Sequence, residues 1–255
     1  MRGSARIIGM ALAACAASAA PSQEPKAGPA AAPPPMRPAD YAALAKLPDW
    51  RGVWQPDWST IASRNRAEPD FTPAAAKAAA AFKAQQAEGK NLQTEAANCV
   101  PSGMPQIMRM PYPIEFIYSP DRVTIAIETY SQMRRVYTDG RPLPDDPDPA
   151  YNGWSVGRWE SGALVIDTIG LNPATSIVPG IHPTERTRIR ERISLENPNL
   201  MLIETTVSDP AIFAKPLVMT QKYIREPTWQ IREYVCQENN RDAADEFGRP
   251  SMSID

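Results

Sequence analysis

From Pro113 onward, apolar and polar residues alternate with the period of two that a half-buried strand imposes. Val123, Ile125, Ile127 and Thr129 fall on one side of such a strand, and Thr124, Ala126, Glu128 and Tyr130 on the other. Comparable runs span 133–138, 154–159, 164–168, 186–193, 200–207, 217–224 and 229–236. Turn chemistry separates them: Ser119-Pro120-Asp121, Asp139-Gly140, Glu160-Ser161-Gly162, Glu196-Asn197-Pro198-Asn199 and Arg225-Glu226-Pro227. Short strands in succession, with no helix between them, predict an all-β fold. The favoured architecture is an antiparallel lipocalin-like (calycin-type) barrel of about eight or more strands, since closure removes sheet edges. A two-sheet β-sandwich is the alternative. Upstream the period changes. Thr72 supplies a capping hydroxyl, Pro73 opens the first turn, 74–88 is rich in alanine and Gly89 ends it, which predicts one N-terminal helix. Phe82 is its only large apolar residue, so the helix lies on the surface.

The N-terminus reads as an export signal. Arg2 and Arg6 precede a short apolar run that ends at Leu12-Ala13-Ala14-Cys15. This ending resembles the bacterial lipoprotein box, in which Cys15 is acylated; plain cleavage after Ala17–Ala20 is the other reading. Residues 1–15 are then signal and 16–40 an Ala/Pro-rich linker containing Pro33-Pro34-Pro35. A single barrel domain fills 41–255, with its first apolar anchors at Trp50, Val53, Trp54 and Trp58. Both readings place the mature protein in the periplasm, and the first anchors it to the outer membrane. Of the three cysteines, Cys99 and Cys236 are left as a pair. No CxxC motif or zinc spacing accompanies them, so an oxidising compartment predicts one disulfide. A net charge of -2 offers no electrostatic footprint for nucleic acid and no polybasic membrane patch, which leaves membrane attachment to the lipid alone.

Several strings carry a resemblance: Cys99-x-Pro101-x-Gly103-Met104-Pro105, Pro111-Tyr112-Pro113-x-Glu115-Phe116, Tyr137-Thr138-Asp139-Gly140-Arg141-x-x-Pro144, Gly157-Arg158-Trp159-Glu160, Leu164-Val165-x-Asp167-Thr168, Asp209-Pro210 and Glu233-Tyr234-x-Cys236-x-Glu238-Asn239-Asn240. From about Trp50 to Asn240 the chain resembles an exported β-rich bacterial family, common in sphingomonads and acidobacteria, most of whose members have no assigned activity. The family's usual strand reads Gly-His-Ser-x-Gly-Arg-Trp-Glu. Here Trp154 stands in the histidine's place and Leu143 in that of a second histidine before Pro144. That departure puts in question any family chemistry or metal binding that used those histidines.

His182 is the only histidine, which argues against a His-built metal cluster; no metal and no cofactor is expected. Phosphate loops, Gly-x-Ser-x-Gly elbows and dinucleotide fingerprints are missing from the sequence. Arg186, Arg188, Arg190 and Arg192 share one strand face, best placed outside against acidic neighbours. Glu191 then points inward, and one of Arg134 and Arg135 enters the barrel or lies at its mouth. Arg158 and Asp167 either pair across a hairpin or take opposite faces. Tyr112, Tyr137, Tyr151, Trp154 and Tyr223 are candidates to line a cavity. These residues suggest a cofactor-independent lyase, decarboxylase or isomerase acting on a small aromatic, possibly lignin-derived, phenolic acid, by fold-level analogy with barrel-shaped phenolic-acid decarboxylases. His182, Glu185 and Tyr151 would be catalytic; Arg158 would hold the acid group, with Tyr137, Trp154, Asp167 and Tyr223 around the substrate. The alternatives are a non-catalytic lipoprotein that binds a hydrophobic small molecule, or a structural envelope protein.

Overall fold

Alternation becomes a wall of strands in the computed structural model, which describes residues 37–61, 68–90 and 99–236. Among these residues nine strands follow one another around a closed barrel in chain order. They are β1 (Val53–Pro56), β2 (Ile114–Ser119), β3 (Arg122–Ile127), β4 (Gln132–Tyr137), β5 (Trp154–Glu160), β6 (Ala163–Ile169), β7 (Arg188–Asn197), β8 (Leu200–Ser208) and β9 (Leu217–Glu226). β9 closes the circle by pairing antiparallel with β1 from Val53↔Glu226 to Pro56↔Tyr223. The barrel is thus the architecture found, and the sandwich is set aside. The expected helix is α3 (Pro73–Ala87), preceded by the short helices α1 (Pro38–Ala43) and α2 (Trp58–Ile61). The Thr72 hydroxyl accepts from the Ala75 amide at 3.3 Å, the capping role its sequence position implies. Phe82 of α3 packs over Gly180 so closely that a Cβ there would lie 2.5 Å from it.

Two expectations need correction. The barrel is not wholly antiparallel: β4 and β5 run parallel, registered at Val136↔Ser155 and Tyr137↔Val156. A parallel neighbour requires a long crossover, and the proline-rich connection 138–153 supplies it. Residues 229–236 form no strand but an irregular segment following β9, because the neighbouring edge is already taken by β1. β1 itself was hidden in a four-residue run around Trp54 that is too short to show a period. Cys15, the export signal and most of the linker lie outside the described residues. No helix among the described residues is long and apolar enough to cross a membrane.

The period-two reading places inward residues correctly. Ile125, Val136, Leu164, Ile166, Ile189, Ile193, Met201, Ile203 and Val207 are all buried. One aromatic cluster sets Trp50 edge-on to Phe116 and to Trp159, both at a 5.0 Å centroid distance. Interior space is therefore occupied by side chains, as in small barrels generally.

Candidate functional site

The polar residues inside the barrel converge. Arg134 enters from β4 and Glu191 from β7, 1 % and 0 % exposed. Arg134 Nη1 donates to Glu191 Oε1 at 3.1 Å, and Nη2 donates to Oε2, completing a two-pronged pair. Nη2 also donates to Thr168 Oγ1 at 3.0 Å and to Ser155 Oγ at 3.3 Å, while those two hydroxyls bond each other at 2.8 Å. One guanidinium thereby links β4, β5, β6 and β7. It spans the parallel β4–β5 seam, where only two residue pairs are in register. The arrangement is sealed from solvent and its charges neutralise each other, which suits a clamp rather than a reagent.

The expected site residues do not assemble around this pair. Arg158 points outward and is half exposed. It donates to Asp167 Oδ2 at 3.1 Å and to Glu160 Oε1 at 2.5 Å. Arg190 holds the other side of Asp167, Nε to Oδ1 at 2.8 Å. Burial pushes the Asp167 carboxyl up, but the bonds from Arg190 and Arg158 outweigh it and hold the group below the usual carboxylate range. Arg158 and Asp167 thus pair across the hairpin on the outer face, correcting the expectation that Arg158 faces a barrel pocket. Arg188 and Arg190 also face outward, as their alternation indicates, and Arg134 rather than Arg135 is the arginine inside.

The remaining candidates scatter. Tyr223 is fully buried, its hydroxyl donating to the Met108 carbonyl at 2.7 Å, so it fills the core. Tyr137 is half-buried beneath the Arg141 guanidinium, 3.9 Å from its ring centre. Trp154 is exposed and donates to the Asp148 carbonyl at 2.8 Å. His182 is exposed, with Nδ1 2.8 Å from the Thr175 carbonyl. Glu185 lines an outer cleft, and half-buried Tyr151 receives the Met104 amide on its backbone carbonyl at 2.9 Å. Among the described residues no hydrogen bond joins His182, Glu185 and Tyr151 into a proton-transfer set.

A groove of about 830 Å³ instead opens beside β1 and the start of β2, with Trp58, Tyr112, Trp229, Ile231, Glu128 and Arg232 among its lining. Trp58 is 56 % and Trp229 47 % exposed, whereas Trp50 and Trp54 are fully buried. Gln55 Oε1 accepts from Trp58 Nε1 at 3.2 Å and so orients that indole. The opposite wall, 228–233, is fixed at several points. Glu128 Oε2 accepts the Arg232 amide at 2.9 Å, Ser131 Oγ donates to the Tyr234 carbonyl at 3.3 Å, and the Tyr234 ring contacts both Tyr112 and Tyr130. The Cys99–Cys236 disulfide, the expected pair, ties down the segment's end. Burial, more than the neighbouring Tyr234 and Glu128, raises the Tyr112 hydroxyl above its ordinary range, so it stays a neutral donor. Sequence reasoning took Trp58 as a core anchor and Trp229 as a strand residue. Exposure is the property that marks both, and alternation does not reveal it. Among the described residues no group of three or more His, Cys, Asp or Glu side chains is placed to hold a metal ion. Compared with protein-family models the chain finds no match, and compared with curated proteins it finds none either.

Proposed function

We propose that this protein is a ligand-binding barrel that takes a small aromatic or hydrophobic molecule in the groove between Trp58 and Trp229. The observation carrying this reading is that two indoles of one groove stand about half exposed while the barrel interior is filled. Large aromatic side chains left in water at a concave surface favour association with an apolar partner. A planar ligand gains stacking on the indoles, the Tyr112 hydroxyl and the Glu128 carboxylate offer polar contacts, and Arg232 supplies a cation for an acidic substituent. Anchoring of the acid group, expected of Arg158, passes in this reading to Arg232. Binding is favoured over lyase chemistry because the acid–base candidates do not meet at the groove.

Titration of tryptophan fluorescence with ferulate and with the neutral probe N-phenylnaphthylamine tests the proposal. Saturable binding is expected, weakened roughly tenfold by Trp58→Ala or Trp229→Ala and unaltered by Trp154→Ala. Binding indifferent to both groove substitutions would overturn the site. Time-dependent conversion of ferulate, followed by its absorbance, would overturn the non-catalytic reading.

A further inference from the structure

A second concavity, about 980 Å³, lies away from the tryptophan groove, where β6 ends and β7 begins. Its two sides carry opposite charge. Asp145, Asp146 and Asp148 line it from the connection before β5, Arg186 and Arg188 from the segment entering β7, and Pro147, Pro149 and Pro173 supply its apolar surface. Among the described residues none of these five charged side chains takes part in an ion pair, although arginines and carboxylates pair readily elsewhere on the barrel.

Both walls are held in place. Pro147 and Pro149 restrict the backbone of the acidic one. Its Asp148 carbonyl accepts from Trp154 Nε1 at 2.8 Å, and Pro147 packs on Gly170 so tightly that a Cβ there would come within 2.9 Å. Ala150 then bonds into the β6 end, its amide donating to the Gly170 carbonyl at 3.0 Å. On the basic side, the hydroxyls of Thr184 and Thr187 each donate to Asp209 Oδ2 at 2.6 Å. Arg188 Nη1 donates to the carbonyls of Glu185 and Thr187 at 2.9 and 3.0 Å. Opposite charges that are kept apart by their own supports form a pre-organised site.

A purely anionic ligand would meet the aspartates, and a purely cationic one the arginines. A molecule carrying both charges with an apolar body between them satisfies both walls and the proline surface. We propose that this cleft binds short zwitterionic peptides, the free ammonium on the aspartate wall and the free carboxylate on Arg186 and Arg188. Apolar side chains of the peptide then cover the rings of Pro147, Pro149 and Pro173. Glu185 lines the cleft from the same segment and offsets one of the two cations, which leaves that side with a net positive charge. A volume near the upper end of small-ligand pockets suits a few residues of peptide.

Isothermal titration of the full-length protein with trileucine, its N-acetyl form and its C-terminal amide tests the assignment. The free peptide is expected to bind, and blocking either end to weaken it by roughly tenfold or more. Arg186→Ala with Arg188→Ala should abolish the preference for the free acid over the amide while keeping that for the free amine. Asp145→Asn with Asp146→Asn and Asp148→Asn should do the reverse. Trp229→Ala should leave peptide binding unchanged, which separates this site from the tryptophan groove. No saturable binding at millimolar peptide, or equal affinity for free and blocked peptides, would overturn the proposal.

Discussion

Glu191→Gln removes a single charge from the barrel interior while preserving the side chain's shape. Arg134 would then keep its positive charge at 1 % exposure, with one neutral amide oxygen and the Thr168 and Ser155 hydroxyls as its side-chain partners, and with an amide NH2 set against its own N–H groups. The substitution loses the carboxylate charge and one of its two acceptor oxygens, and stranding one charge of a buried pair typically costs about 3 to 5 kcal/mol. For a domain of this size each kcal/mol lowers Tm by about 2 to 4 °C, so a drop of about 6 to 20 °C is expected. Arg134→Met should cost a similar amount by stranding the carboxylate. The double variant Arg134→Met with Glu191→Leu should recover most of the loss, because no charge is then buried and Ser155 and Thr168 still bond each other at 2.8 Å. Urea unfolding of the wild type, Arg134→Met, Glu191→Leu and the double variant gives the coupling as a double-mutant cycle. A single substitution costing less than about 1 kcal/mol, or a double variant as unstable as the sum of the singles, would refute a clamp across the β4–β5 seam.

Asp209 offers a pH test. Burial pushes its carboxyl up, but the Thr184 and Thr187 hydroxyls and the Ala211 amide outweigh that effect and hold it below the usual range. A lowered folded value means its stabilisation is complete above the ordinary carboxylate pKa of about 4 and is lost as pH falls through the folded value. Asp209→Asn should therefore cost about 2 kcal/mol at neutral pH, with the gap in Tm closing in acid; a gap independent of pH would contradict this. Removing the Cys99–Cys236 bond, which joins residues 137 apart, by paired Cys→Ala substitution should lower stability by about 3 to 5 kcal/mol in urea unfolding. The same change should raise acrylamide quenching of Trp229 in the groove wall, and unaltered quenching would show that the wall does not depend on the bond.

How much of this was legible varies with the kind of interaction. Burial of alternate residues is imposed by strand geometry at every position, so the inward turn of Glu191 and the outward arginines of β7 could be read from a period of two, while the preference for a barrel over a sandwich rested on the removal of sheet edges by closure. Thr72, Pro73 and Gly89 marked the α3 boundaries because capping is local. Two cysteines remaining outside the segment read as a signal, with no CxxC or zinc spacing around them, made the disulfide readable as well. The parallel β4–β5 pairing was not readable, since alternation is the same whichever way a neighbouring strand runs. Nor was the outward position of Arg158. Its pairing with Asp167 was one of two possibilities, and only the relative register of β5 and β6 chose between them.

The sequence by itself determined the strand rhythm, the faces that must be buried, the helix ends and the cysteine pair, all of which follow from neighbouring residues or from composition. Tertiary structure alone decided that Arg134 meets Glu191 three strands away, that Trp58 and Trp229 share one groove, and that Asp145, Asp146 and Asp148 line one cleft with Arg186 and Arg188. Those meetings depend on how the barrel closes and where its long connections return. Because closure brings together residues far apart in the chain, no local pattern encodes which of them will meet.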